Sequence, residues 1–337
     1  MKRSTSVRHP PRALFSPQNL AGLTLAAAAA FAPTPADAYV FAFQCQSSVC
    51  VLDPTVPNPP ATPVPPGPAA GVRAAGGIQP NATTVLATVG TVAGITADGR
   101  TVAWEAFSPN RIVRSSVEGG PVTTLYTGEI YQDPRISSDG TKALWVFYLG
   151  GYGWFTYMAV NGTAQSIASS TMQTTHGWLG NTPIVARRGG GKALATICAE
   201  VAGGPACDTP LATDPSLQVS YPSGAASGTW IVAVRGQAAS PGVPVKGSIA
   251  LYSTATHTLV RVLTPGPNDT HPAISPDGNF VAFERDGAIW TIGNVLTTPS
   301  APVRLTAGTF PFIGGPSGDA CPPNPPFPCV GSGSSGP

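Results

Sequence analysis

Short runs of alternating apolar and polar residues, separated by turn residues, recur along most of this chain. Three segments align without gaps: residues 94–104 (GITADGRTVAW), 135–145 (RISSDGTKALW) and 273–283 (AISPDGNFVAF). Each has an apolar residue, a turn centred on Asp-Gly and an alternating strand that ends on an aromatic residue. Asp-Gly between two such runs favours a β-hairpin, because glycine accepts positive φ without steric cost. The pattern predicts hairpins at Asp98-Gly99, Asp139-Gly140 and Asp277-Gly278.

The hairpin pattern repeats at a nearly regular interval. Two weaker copies, around residues 179–186 and 227–234, keep the turn glycine and the strand but lack the aspartate. The turn glycines fall at positions 99, 140, 180, 228 and 278, which are 41, 40, 48 and 50 residues apart. Periods of about 40–50 residues with several strands each are typical of β-propeller blades. Further apolar runs supply a third and a fourth strand in these periods.

The two ends of the repeating region complement one another. Residues 39–43 and 49–52 match a second and a third strand, residues 84–89 supply a fourth strand, and residues 310–313 match a first strand. If the ends share one blade, the ring closes and no sheet edge is left open there. We therefore expect an all-β protein, a propeller of six four-stranded blades over residues 39–320 with the termini sharing one blade. Counts of five or seven stay open, because residues 190–225 are poorly patterned.

The first 38 residues have the pattern of a secretory signal peptide. Four basic residues precede an apolar stretch at 20–32, and Ala36-Asp37-Ala38 offers a small-x-small cleavage site. A retained membrane anchor is the alternative, but 13 apolar residues are too few to span about 30 Å of hydrocarbon. We expect cleavage and a periplasmic or secreted protein that is not integral to the membrane.

Composition and charge narrow the possible functions. Charged residues make up 10% of the 337 residues, against about 25% in an ordinary globular protein. Without residues 1–38, 14 basic and 15 acidic residues remain, and no basic stripe points to nucleic acid. The Pro-rich loop 54–72 is expected to be an extended spacer, with a ligand for a partner as the alternative. Residues 321–337 are expected to form a flexible tail that contains a disulfide.

Six cysteines stand in three close pairs: Cys45/Cys50, Cys198/Cys207 and Cys321/Cys329. In an exported protein, nearest-neighbour disulfides are the simplest connectivity. A metal site is the rival interpretation, but it would need two pairs to converge, and CxxC spacing is absent.

One long segment, residues 263–283 (LTPGPNDTHPAISPDGNFVAF), resembles a repeat of the TolB-like propeller family. The resemblance extends over about residues 39–320 and implies a propeller that binds periplasmic partners such as the peptidoglycan-associated lipoprotein. TolB has an additional N-terminal α/β domain, and none is visible in this sequence. Similar repeats occur in prolyl-oligopeptidase-type peptidases, where a separate hydrolase domain does the chemistry, and this chain has no G-x-S-x-G motif.

Two sets of residues are candidates for binding. Aromatic residues crowd a glycine-rich hairpin, and exposed aromatics with glycine are typical of a recognition surface; the candidates there are Tyr148, Tyr152 and Trp154. The second set is expected near the mouth of the channel and contains Asp133, Asp269 and His271. The aspartates are interpreted mainly as braces between blades, with a binding role as the alternative.

No catalytic residues are predicted. Asp98, Asp139 and Asp277 recur at one turn position, so a structural role in the hairpins is favoured over an active site. Glu105 and Glu284 are expected on solvated strand ends, although a carboxylate pair could do acid–base work. His176, His257 and His271 are expected in structural loop positions rather than at a metal.

The sequence therefore predicts an exported, non-enzymatic propeller without a cofactor, which binds a protein or a cell-envelope component. The alternative is a channel-centred, metal-dependent hydrolase or lyase of the six-bladed type, with a metal held by side chains from several blades. A structural surface protein is a third possibility.

Overall fold

The computed structural model describes residues 39–52, 83–87, 90–107, 109–130, 132–150, 152–170, 175–188, 195–200, 207, 210–214, 216–237 and 245–315. The predicted signal peptide 1–38, the Pro-rich loop 54–72 and the tail 321–337 with Cys321 and Cys329 lie outside these residues. All regular elements in the described ranges are β-strands, which confirms the all-β class. Within the same ranges, no helix long and apolar enough to cross a membrane is found.

The 24 strands are short, with five to eight residues each, as the short alternating runs predict. In chain order they are β1 (Val40–Cys45), β2 (Ser48–Leu52), β3 (Thr83–Ala87), β4 (Thr91–Ile95), β5 (Thr101–Ala106), β6 (Arg111–Ser116), β7 (Thr123–Thr127), β8 (Gln132–Ile136), β9 (Lys142–Leu149), β10 (Gly153–Val160), β11 (Thr163–Ser170), β12 (Thr175–Leu179), β13 (Thr182–Arg188), β14 (Ala195–Ala199), β15 (Pro210–Asp214), β16 (Gln218–Gly224), β17 (Trp230–Gly236), β18 (Ser248–Ser253), β19 (Thr258–Val262), β20 (Thr270–Ile274), β21 (Phe280–Arg285), β22 (Ala288–Gly293), β23 (Val303–Ala307) and β24 (Thr309–Gly314).

Four sheets have four antiparallel strands each. They are the closing sheet (β24-β1-β2-β3), the second sheet (β4-β5-β6-β7), the third sheet (β11-β10-β9-β8) and the last sheet (β20-β21-β22-β23). In the closing sheet, Phe41 pairs with Ile313, so the first and last described strands lie side by side. The two ends of the described chain therefore share one sheet.

The remaining eight strands form a closed ring rather than two separate sheets. Its order is β12-β13-β14-β15-β19-β18-β17-β16. Within β12–β15 and within β16–β19 the pairing is antiparallel, whereas single parallel pairs, Leu179 with Gly224 and Thr213 with Thr258, join the two halves. Each half is thus a four-stranded unit, and the halves meet at both edges.

The core lies between successive sheets. Apolar residues of the closing sheet pack on the second sheet around Trp104, and residues of the second sheet pack on the third around Trp145. The ring packs on the last sheet around Phe283, and the last sheet packs on the closing sheet around Phe41. Burying one such side chain stabilises the fold by about 1.5–3 kcal/mol. These clusters join successive sheets, and the final cluster joins the last sheet to the closing sheet.

The first strand of each four-stranded unit lies at the centre. These inner strands are β4, β8, β12, β16, β20 and β24, and each contacts the next in a closed cycle that runs from β24 back to β4. All six begin at one end of the molecule, here called the bulge end, and lead toward the other end, where residues that follow them hydrogen-bond to one another, as Ala97 N–H does to Ser138 and Gly315 N–H to Ala97. That other end, called the turn end, holds the turns that follow the inner strands.

The turn aspartates hold these turns through hydrogen bonds. Asp139 accepts from the hydroxyl of Ser137 (2.6 Å) and from the backbone N–H of Thr141 (2.9 Å). Asp98 and Asp277 accept the same pair of bonds in their own turns. The following glycines have positive φ, at 72°, 68° and 83° for Gly99, Gly140 and Gly278. These contacts have the form expected of a structural turn.

Candidate functional site

A β-bulge interrupts most of the inner strands close to the bulge end. At four of them a residue with positive φ precedes a proline, which has no N–H to give to the ladder; these residues are Asp133 (50°), Tyr221 (53°), His271 (46°) and Phe310 (51°). The pairing register shifts at the same points. Bulges redirect side chains, and here they turn four side chains from four strands toward one another.

On β12 a histidine and a glycine stand where the other strands have the bulge residue and proline. A Cβ on Gly177 would lie 1.9 Å from the carbonyl oxygen of Pro222. Only glycine permits this close approach of the neighbouring strand. His176 thus joins the bulge row, which we define as Asp133, His176, Tyr221, His271 and Phe310. His176 and His271 both lie inside strands, not in the loops that the sequence suggested.

Direct contacts join the members of the bulge row. The imidazole of His271 lies between the rings of Tyr221 and Phe310, with centroids 4.3 and 4.2 Å away. Its Nδ1 lies 3.0 Å from a carboxylate oxygen of Glu284. On the other side, His176 Nε2 lies 2.7 Å from the carbonyl oxygen of Asp133. Because a carbonyl only accepts, Nε2 carries the proton of a neutral His176.

Burial and charge set the ionisation of this row. Burial alone would raise the pKa of Asp133, but Arg135, His176 and His271 outweigh it and hold that pKa below its usual range. Arg135 Nε donates to Asp133 at 2.9 Å. Burial lowers the pKa of His176 to about 4, against the opposing effect of Asp133. At neutral pH the row thus holds an ionised aspartate and a neutral, buried histidine.

Glu105 corrects an expectation from the sequence. It was expected on a solvated strand end, but it is only 6% exposed, and burial raises its pKa from 4.5 to about 7. Glu284, its counterpart in the last sheet, is partly buried and bonded to His271. The expectation of a solvated strand end is therefore wrong for Glu105, and Glu284 is partly covered through its contact with His271.

Asp269 differs from Asp133 in its surroundings. It is fully buried and accepts two hydrogen bonds from Arg285, at 2.6 and 2.9 Å. Its backbone exchanges hydrogen bonds with Gly247 on the neighbouring half of the ring. The structure therefore brings Asp133 and His271 together, whereas Asp269 bonds to other partners and braces two units.

A cavity of about 70 Å³ follows the axis between the inner strands. Its wall draws on all six of them, from Ile95 on β4 to Phe312 on β24. Residues just beyond the inner strands, such as Ser138 and Pro276, also belong to the wall, whereas none of the bulge row does. The cavity therefore lies on the turn side of the bulge row and extends toward the turn end.

The aromatic hairpin between β9 and β10 lies at the bulge end of the third sheet. The inner strand β8 pairs with β9 only as far as Val146, so the hairpin extends beyond it. At its tip Tyr152 is 80% exposed and Tyr148 is 42% exposed. Tyr148 contacts Trp154 across the hairpin, with ring centroids 4.8 Å apart. Phe107, which follows β5 in the adjacent sheet, is also exposed.

The other candidate residues have ordinary structural surroundings. Cys45 is bonded to Cys50 and Cys198 to Cys207. His257 has positive φ and lies 3.3 Å from the carbonyl oxygen of Leu211. Among the residues that the structure describes, no group of three or more His, Cys, Asp or Glu is placed to hold a metal ion.

Sequence reasoning missed several residues around the axis. Arg135, Trp178, Tyr221 and Phe310 were not candidates, although they belong to the bulge row or line the cavity. A signal was present: Asp-Pro, Tyr-Pro and His-Pro each occur shortly before a turn of the repeat, and Phe-Pro occurs at the start of the last apolar run, residues 310–313. Aligning these pairs would have placed the four side chains at one level.

The fold resembles those of known proteins. No protein-family model and no curated protein sequence matches this chain. The crystal structure of TolB from Acinetobacter baumannii aligns with a TM-score of 0.54 at 15% identity, over 83% of this chain and 67% of that one. A chain of the nidogen/laminin complex aligns with a TM-score of 0.53 at 11% identity, over 82% of this chain and 98% of that one. The chain therefore has a TolB-like β-propeller fold.

Proposed function

We propose that this protein is an exported, six-bladed propeller that binds a protein or a polymer of the cell envelope through its aromatic hairpin. The observation that carries this proposal is the exposed tip of that hairpin. Tyr152 and Tyr148 leave large aromatic surfaces open to solvent, and Tyr and Trp are enriched at the energetic centres of interfaces.

The surroundings of the tip favour contact by shape and apolar area rather than by charge. Residues 147–154 (FYLGGYGW) contain no charged side chain. Leu149 and Phe107 add exposed apolar surface at the same end of the molecule. Contiguous exposed apolar patches of this kind are typical of interaction sites.

The six-blade count rests on treating the two halves of the eight-stranded ring as separate blades. Each half has four strands in antiparallel order, and only one residue pair joins each edge. The four sheets and the two halves then give six units, with the closing sheet shared by both ends of the described chain.

Export is supported by two independent features. Residues 1–38 have the three-part pattern of a signal peptide. Two pairs of neighbouring cysteines are joined as disulfides, and such bonds form and persist in oxidising compartments. We place the protein in the periplasm or outside the cell.

The proposal is tested by capture from a cell-envelope extract with the variant Tyr148→Ala/Tyr152→Ala. Loss of one stoichiometric partner from the double variant, at an unchanged melting temperature, is the expected result, because both side chains are partly or fully exposed. The matched control is Thr123→Ala/Thr124→Ala on β7, where two exposed polar residues lie on an outer strand. Equal capture by all three proteins would remove the hairpin as the contact surface.

A further inference from the structure

The wall of the axial cavity has polar side chains at one level along the axis and apolar side chains elsewhere. The position two residues after the bulge row is occupied by Arg135 on β8, Trp178 on β12 and Ser223 on β16, and all three line the cavity. We call these three residues the donor level. At the same position two of the remaining strands carry Ala273 and Phe312, and the Arg135 guanidinium lies over the Phe312 ring, 4.7 Å from its centroid. Toward the turn end the wall continues through Ile95, Ile136, Ile274 and Ile313.

Two hydrogen-bond donors at this level have no partner. Arg135 is 5% exposed and Trp178 is 7% exposed. Arg135 Nη2 and Trp178 Nε1 are both buried, and neither finds an acceptor among the described residues. Leaving a buried donor unsatisfied is costly, and more so for a charged group. Two such donors on adjacent strands indicate that an acceptor from outside the described residues completes this level.

The charge of the wall identifies the kind of acceptor. Among the described residues that line the cavity, Arg135 is the only ionisable one, and none is a carboxylate. Asp133 engages the guanidinium through Nε, on the bulge side. The opposite edge of the guanidinium therefore keeps an unmatched N–H on a buried cation, and a carboxylate is the ligand group that fits planar guanidinium donors best.

We propose that this cavity binds a small aliphatic carboxylate, with its oxygens at the donor level and its hydrocarbon part among the isoleucines. Arg135 and Trp178 donate to the carboxylate, and the hydroxyl of Ser223 is placed to add a third bond. Ser223 accepts from Ile274 N–H at 3.4 Å, and a hydroxyl that accepts one bond can still donate its own proton. The site lies inside the ring and does not depend on the aromatic hairpin.

The carboxylate could belong to a free short-chain acid or to the end of a peptide chain that enters from the turn end. Both sources offer the same group to the donor level. Isovalerate is the probe for a free acid, and N-acetyl-leucine is the probe for a chain terminus. Tighter binding of one probe identifies the source.

The test is calorimetric titration of the full chain with isovalerate and with isovaleramide. The amide keeps the shape of the acid but loses the charge and one acceptor, so we expect it to bind at least about tenfold more weakly. Trp178→Phe should weaken isovalerate binding at least about fivefold, because the indole N–H is lost while an aromatic ring remains.

Two further variants separate binding from folding. Trp290 also has a buried indole N–H without a partner among the described residues, but it does not line the cavity, so Trp290→Phe should leave the Kd unchanged. Ala226 is exposed at the turn end of the wall, and Ala226→Phe should slow or block entry without disturbing the core. No binding of either acid, equal binding of acid and amide, or equal effects of Trp178→Phe and Trp290→Phe would overturn the proposal.

Discussion

Asp214 shows how a single buried carboxylate joins strands that the sequence barely marks. It is fully buried and accepts from the backbone N–H groups of Ser216 and Leu217, both at 3.0 Å. It also pairs with Arg235 on β17 and accepts from the hydroxyl of Tyr252 on β18 at 3.1 Å. These bonds tie the end of β15 to the other half of the ring. A buried charge is tolerated because it is paired and bonded on all sides.

The turn glycines allow a comparison between two residues with the same backbone conformation. Gly99 and Gly228 occupy the same turn position, with φ of 72° and 79°. A Cβ on Gly99 would lie 2.0 Å from the carbonyl oxygen of Gly315, whereas a Cβ on Gly228 would meet nothing within 4 Å. We expect Gly228→Ala to cost about 1 kcal/mol through its φ alone. Gly99→Ala should cost about 1–3 kcal/mol more, measured by urea unfolding; equal losses would contradict the packing at this turn.

Stability should depend on pH through two buried groups with opposite effects. Between pH 4.5 and about 7, folded Glu105 keeps a proton that the unfolded chain has lost, so rising pH lowers stability. Between about pH 4 and 6.5, unfolded His176 is protonated and folded His176 is not, so rising pH raises stability. Each effect amounts to at most about 3 kcal/mol.

Single variants should separate the two contributions to the pH dependence of stability. Glu105→Gln leaves the His176 effect, so its stability should increase as the pH rises to about 6.5 and then level off. His176→Gln leaves the Glu105 effect, so its stability should decrease as the pH rises to about 7. Urea unfolding across this range measures both. Parallel pH profiles for the two variants would mean that neither group has the protonation state inferred from its burial.

Strands and turns were predictable where local chemistry dictates them. The Asp-Gly hairpins after β4, β8 and β20 follow from two residues and an alternating pattern. The strands β12–β16 were harder, because their turns lack aspartate and their contacts are made by distant partners such as Asp214 with Tyr252. The bulge row was harder still to predict. A residue before proline can be recognised in the sequence, but its contacts with side chains of other strands depend on how the strands are arranged in the ring. The expectation that Glu105 lies on a solvated strand end was wrong for the same reason, because its burial depends on how the strands meet in the folded ring.

In the closing sheet, the last described strand, β24, stabilises the first, β1. β24 pairs with β1, and Ile313 packs with Phe41 in one core cluster. A chain ending after Gly308 should therefore melt well below a chain ending after Gly315, because it leaves β1 and the inner cycle without a neighbour. Both truncations lack residues 316–337, so they differ only in residues 309–315. Thermal unfolding monitored by circular dichroism measures the difference, and similar melting temperatures would contradict closure by β24.

Across the whole molecule, the two ends of the ring differ in character. The bulge end carries the aromatic hairpin, Phe107 and the bulge row, whereas the turn end carries the Asp-Gly turns and the opening of the axial cavity. We propose that the first end contacts a macromolecule and that a small ligand enters at the second. Repeats of one pattern produce both ends, because most inner strands carry a bulge near their start and all six lead to the turn end.

The most direct test of the central claim is site-specific photocrosslinking in an envelope extract. A photoreactive phenylalanine at position 152 places the probe at the hairpin tip, and the same residue at position 161 places it on the exposed turn at the opposite end of β10. We predict one dominant crosslinked product from position 152 that is absent from position 161. The same product from both positions, or none from position 152, would contradict binding through the aromatic hairpin.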